Sequence, residues 1–168
     1  MTRRLPITII FILLSTVFFA QAEGLDNFMG IPFGATKDEA RNAMEAQGWL
    51  YDVRNSYDTL LVFTLAGGQF RGLSVRAINL DFVDGKFVRA YVAVIQRIND
   101  LTDAITEMNK IIKENNMVKE FNFDWKSSVS RTYRDQAGNQ LCGIFYRKEG
   151  YKNVLLIFSD RDHGFYRK

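Results

Sequence analysis

Cys142 and His163 are the only cysteine and the only histidine among 168 residues, so a thiolate nucleophile with an imidazole base would have to use both. No family signature or third orienting group surrounds either residue. Cys142 falls inside the strand-like run 141–147, where a lone cysteine reads as a small core residue. Asp160, Asp162 and His163 bring metal-ligand types close together, but the two-histidine motifs and further soft ligands of a metal site are absent. Asp81, Asp84 and Asp124 invite a glycosidase-like pairing of carboxylates; spacing alone does not bring any two face to face, and Asp84 with Gly85 already reads as a turn. Gly67, Gly68 and Gly72 lack the helix start and the Lys-Ser/Thr ending of a phosphate loop and read as turns. No catalytic residue, metal site or cofactor is assigned.

The remaining chemistry is that of contact. Phe121, Phe123 and Trp125 alternate with Asn122 and Asp124, which puts three aromatic residues on one face of a strand. Aromatics at half-buried strand positions serve a core equally well. If a partner or ligand surface exists, these three are the first place to look for it.

The elements that must position them are written in the periodicity. After an extended lead-in over 24–34, Thr36 and Glu39 form a capping box for a helix ending near Gly48, with Ala40, Ala43 and Met44 on its inner stripe. From 49 to 95 the period is two. The clearest hairpin spans 77–95, where Ile78, Leu80 and Phe82 alternate before Asp84-Gly85 and Val88, Ala90, Val92 and Val94 alternate after it. A plain two-residue turn would set Leu80 against Arg89; a glycine-bulge turn sets Phe82 against Lys86, Leu80 against Val88 and Ile78 against Ala90, and is the expected register. A second helix fits 101–115, with Asn99 or Asp100 as cap and Leu101, Ala104, Ile105, Met108, Ile111 and Ile112 on one face, Glu107 on the other. Strand-like runs follow at 121–125, 129–133, 141–147 and 154–158. The expected fold is α+β: two helices packed on one face of an antiparallel sheet, with a pseudo-repeat of a helix-plus-strands unit over halves 26–96 and 99–160.

Residues 1–22 read as a cleavable secretory signal. Arg3 and Arg4 precede 16 largely apolar residues, and Ala20-Gln21-Ala22 supplies the small residues of a cleavage site. A membrane span wants about 20 apolar residues, and Pro6 where a twin-arginine motif wants an apolar residue favours the general secretory route. No cysteine lies near the cleavage site to carry a lipoprotein's acyl chains. The expected molecule is a single domain over 23–168, periplasmic or secreted, with no stable membrane anchor. Removing the signal takes two of the 22 basic residues and none of the 19 acidic ones, leaving a net charge of +1, which offers no field for nucleic acid. One cysteine forms no internal disulfide, so stability rests on packing, for which the 20 aromatic residues of 23–168 are ample.

Phe28-Met29-Gly30-Ile31-Pro32-Phe33-Gly34, leading to Thr36, Asp38 and Glu39, resembles the opening of many small exported bacterial domains. The doubled helix-then-strands pattern is similar to that of the β-lactamase-inhibitor-like modules, whose relatives include a small lipoprotein of the outer-membrane protein assembly machine. The resemblance implies a non-enzymatic module that binds another protein through an open sheet face. The chain lacks the lipid-accepting cysteine of the one and the disulfides of the other, so neither activity carries over. The leading expectation is thus an exported binding module. The competing readings are a small hydrolase built on dispersed carboxylates or on Cys142 and His163, and a structural envelope component.

Overall fold

The computed structural model describes residues 24–95, 101–125, 128–148 and 151–164. The signal over 1–22 and the cap at Asn99 or Asp100 lie outside them. In chain order the elements are strands β1 (Asn27–Phe28) and β2 (Ile31–Pro32), helix α1 (Lys37–Ala46), strands β3 (Leu50–Tyr51), β4 (Leu60–Thr64), β5 (Gln69–Phe70), β6 (Leu73–Val83) and β7 (Lys86–Val94), helix α2 (Leu101–Glu114), and strands β8 (Val118–Trp125), β9 (Ser128–Arg134), β10 (Gln140–Lys148) and β11 (Tyr151–Ser159). The fold is α+β. The main sheet runs β3-β4-β6-β7-β11-β10-β9-β8 with every pair antiparallel, and β5 pairs with the start of β6.

Both helices end where their sequences say. Thr36 Oγ1 accepts from Glu39 N–H at 3.3 Å while the Glu39 carboxylate accepts from Thr36 N–H at 2.8 Å, completing the capping box. Gly48, at φ +86°, takes the left-handed position after α1. At the end of α2, Asn116 does the same at φ +49°, and Asn115 Nδ2 donates to the Ile111 carbonyl at 2.8 Å.

Register sorts the strand residues into two faces. Leu61, Leu80, Ala90, Phe158, Leu141 and Tyr133 stand opposite one another across six strands. These residues share one hydrophobic cluster with Ala40 and Met44 of α1 and Ala104, Met108 and Ile111 of α2. Gly143 on β10 makes room for α2: a Cβ there would lie 2.6 Å from Met108 Sδ. Phe28 of β1 packs its ring against Phe70 and Phe158, at centroid distances of 5.5 and 5.1 Å, which draws the N-terminal strap onto the same cluster.

The hairpin joining β6 and β7 differs from its expected register. Asp84 and Gly85 both have positive φ, +50° and +74°, so the turn has two residues and Phe82 stands opposite Phe87. The extra residue comes one step later, at Val88, after which Asp81 opposes Arg89, Leu80 opposes Ala90 and Ile78 opposes Val92. The cause is remote from the turn. The strap donates Gly34 N–H to the Phe87 carbonyl at 2.7 Å and accepts from Phe87 N–H at Ala35, 2.8 Å, while the Val88 carbonyl accepts from Asp160 N–H at 3.0 Å. The bulge still brings the apolar residues of both strands to one face.

Candidate partner-binding face

β8 closes one end of the sheet, and a bulge between Lys119 and Phe121 sets its pairing with β9. The bulged residue, Glu120, turns its carboxylate onto neighbouring strands: it accepts from Arg134 Nη2 at 2.8 Å and from Gln140 Nε2 at 2.9 Å. Beyond it Phe121 stands opposite Thr132, Phe123 opposite Ser130 and Trp125 opposite Ser128. The Phe121 and Phe123 rings stack at a centroid distance of 6.4 Å with 16° between planes, and they are 43% and 42% exposed. The Trp125 side chain lies outside the described residues.

Val62, Asn79, Tyr91, Ile157, Cys142, Thr132 and Phe121 form a cross-strand row over seven strands on the face opposite the main core. Cys142, Ile144 and Ile157 make a small buried apolar cluster there, with Tyr91 and Leu155 packed against it. Tyr146, two residues beyond Ile144 on the same face, is exposed. Sequence reasoning missed Tyr91, Ile144, Tyr146 and Leu155 as residues of the same sheet face as the aromatic strand. The same-parity spacing of Cys142, Ile144 and Tyr146 was the available signal; that β11 joins β7 was not.

Burial pushes the Cys142 thiol up to about 11, and the Thr132 hydroxyl opposite it pulls the other way. That hydroxyl completes no hydrogen bond of good geometry, and burial wins. A thiol so raised holds little thiolate near neutral pH. No hydrogen bond joins it to His163, whose Nδ1 instead lies 2.9 Å from both oxygens of Asp160. Arg89 spans the same region, donating to the His163 carbonyl at 2.6 Å and to the Tyr91 hydroxyl at 2.8 Å, with Asp81 at 3.7 Å. Among the described residues no three His, Cys, Asp or Glu side chains are grouped as a metal site would need.

Comparison with protein-family models, curated proteins and solved structures gives no match. Among the described residues no helix is long and apolar enough to cross a membrane.

A cleft of about 500 Å³ opens on the other side of the molecule, between the strap at Asp26 and Asn27, the β5–β6 turn at Arg71, and Glu114 and Asn115 at the end of α2. Arg71 has φ +50° and Gly72 φ +82°, the conformation of a tight two-residue hairpin. Its guanidinium bonds Glu107 and clasps both oxygens of Glu114, at 2.8 and 2.6 Å. Among the described residues, the cation that lines the cleft, Arg71, is committed to α2.

Proposed function

We propose that this protein is an exported, non-enzymatic binding module of the bacterial periplasm or exterior. Its partner is another protein, and its contact surface is the outer face of the sheet at Phe121, Phe123 and Trp125. The observation that carries the reading is the stacked pair Phe121–Phe123, each ring more than two-fifths exposed, on the same sheet face as the apolar cluster of Cys142, Ile144 and Ile157, from which β9 separates it. A stacked, half-exposed aromatic pair is the composition of an interface centre.

The same proposal covers the architecture. Both helices sit on the inner face and the chain repeats a helix-plus-strands unit; the shared cluster of α1 and α2 side chains supports the first. The strand order supports the second, because β3-β4-β6-β7 is followed by β11-β10-β9-β8 and each half contributes its last strand to the central seam. A competing hydrolase built on Cys142 and His163 would need Cys142 as nucleophile, and its raised thiol speaks for packing instead.

The test is a photoreactive residue placed at Phe123 and, as control, at exposed Val53, in cells that export the protein. Recovered protein should begin at Glu23 by intact mass and carry a protein adduct from position 123 and none from 53. Phe121→Ala with Phe123→Ala should reproduce the deletion phenotype while Cys142→Ala and His163→Ala do not. Equal adducts at both positions, or loss of function in a folded Cys142→Ala chain, would sink the binding reading.

A further inference from the structure

We propose that two copies of this chain join edge to edge through β8, forming one continuous antiparallel sheet across a two-fold axis at Asn122. The inference concerns the edge of the sheet and uses the same Phe121 and Phe123 rings as the proposed contact surface; an adduct from position 123 with the mass of a second copy belongs to this contact, and one of any other mass to the partner.

Among the described residues β8 pairs with β9 alone, and it is an eight-residue strand at the end of the sheet; the opposite end is the two-residue β3. A long edge strand presents a row of backbone donors and acceptors that another strand can complete. What selects a second copy is that β8 is complementary to itself when read backwards. Phe121 and Phe123 flank Asn122 on the outer face, opposite Thr132 and Ser130. A two-fold axis at Asn122 therefore sets Phe121 of each copy against Phe123 of the other and extends the stacked pair into four rings.

The inner face carries the charge argument. Lys119 and Asp124 stand opposite Tyr133 and Val129 and so share this face with Asn122, which is opposite Arg131. The side chains agree: with the Asn122 amide turned so that its oxygen accepts, Lys119 Nζ lies 2.8 Å from it. Because of the bulge, Glu120 and Phe121 together fill one step of the ladder. Counting from the axis, Asp124 of one copy then meets Lys119 of the other, twice by symmetry. Without the bulge Asp124 would meet Glu120, a like charge. The Glu120 carboxylate is instead turned back across the sheet to Arg134 and Gln140. The bulge thus removes a repulsion and creates two attractions, the electrostatic signature of an isologous contact.

Sedimentation equilibrium on protein recovered from cells expressing the full-length gene should show a dimer whose dissociation depends on these charges. Asp124→Lys and Lys119→Asp should each weaken it about tenfold or more, and the two together should restore it. Thermal melts identify any variant that has lost its fold. Asn122→Cys, with its mate directly across the axis, should form a disulfide-linked dimer under mild oxidation, while Asp124→Cys should not, and buried Cys142 stays silent. A chain that remains monomeric at all concentrations with no Asn122→Cys crosslink overturns the proposal. So does a dimer indifferent to the single charge changes, or one that the double exchange fails to restore.

Discussion

A carboxylate that is 5% exposed keeps its charge only if cations follow it in, and Glu107 has two. Arg71 reaches it from the β5–β6 turn, and Lys110 donates at 3.1 Å from one turn along α2. Burial works against its charge, but the hydrogen bonds from Arg71 and Lys110 outweigh it and hold the carboxyl below the ordinary value of 4.5. Helical periodicity puts Glu107 on the solvent side of α2; the hairpin arriving from residue 71 covers it. The attachment also offsets the left-handed backbone of Arg71, a conformation that costs a non-glycine residue roughly 1 kcal/mol. Since folding lowers this pKa, the stability it confers is fully present above about pH 4.5 and is lost as pH falls through the folded value. Melting temperatures followed from pH 7 into the acid range should show it: Glu107→Gln should be less stable near neutrality, with the gap to the parent narrowing below that pH. A gap that does not change with pH would mean the pair is energetically silent.

At the scale of elements, the β6–β7 hairpin separates what is local from what is not. The turn is local: Asp84 and Gly85 demand positive φ, and Gly85→Ala should cost about 1 kcal/mol in denaturant unfolding, whereas no loss would mean the turn relaxes to another type. The bulge at Val88 is not local, because the hydrogen bonds that favour it come from Gly34, Ala35 and Asp160. The same division runs through the fold. Helix α1 was legible from its capping box and apolar stripe, α2 from its apolar stripe, and the long strands from alternation. The two-residue strands β1, β2, β3 and β5 carry too few residues for any period to show. For the candidate face, alternation already placed Phe121 and Phe123 together. Which side of the sheet they occupy follows from their register with Thr132 and Ser130, which involves the bulge at Glu120 and cannot be read from β8 by itself.

The whole molecule is fastened by contacts between its two ends. Asp135, buried in the β9–β10 turn, accepts from Leu25 N–H at 2.7 Å with one oxygen and from Asn139 N–H at 2.8 Å with the other. It therefore ties the strap that precedes α1 to a turn in the second half. Asp135→Ala would leave buried backbone donors unpaired, at a cost of about 2–3 kcal/mol. Hydrogen exchange should localise that loss to Leu25 and the turn, and the shape-preserving Asp135→Asn should lose less. Uniform protection across the strap in Asp135→Ala would show that the Phe28, Phe70 and Phe158 packing holds it unaided.

The central seam has a consequence in time. β7 finds its second neighbour only in β11, Phe28 finds Phe158 on that same strand, and Leu25 waits for Asp135. An emerging chain must therefore lengthen by some sixty residues after β7 before its first half can close, and contacts this distant in sequence form slowly. For the export proposed above, lateness is an asset: the fold cannot jam a narrow passage, because its two ends become partners only when nearly the whole chain is present.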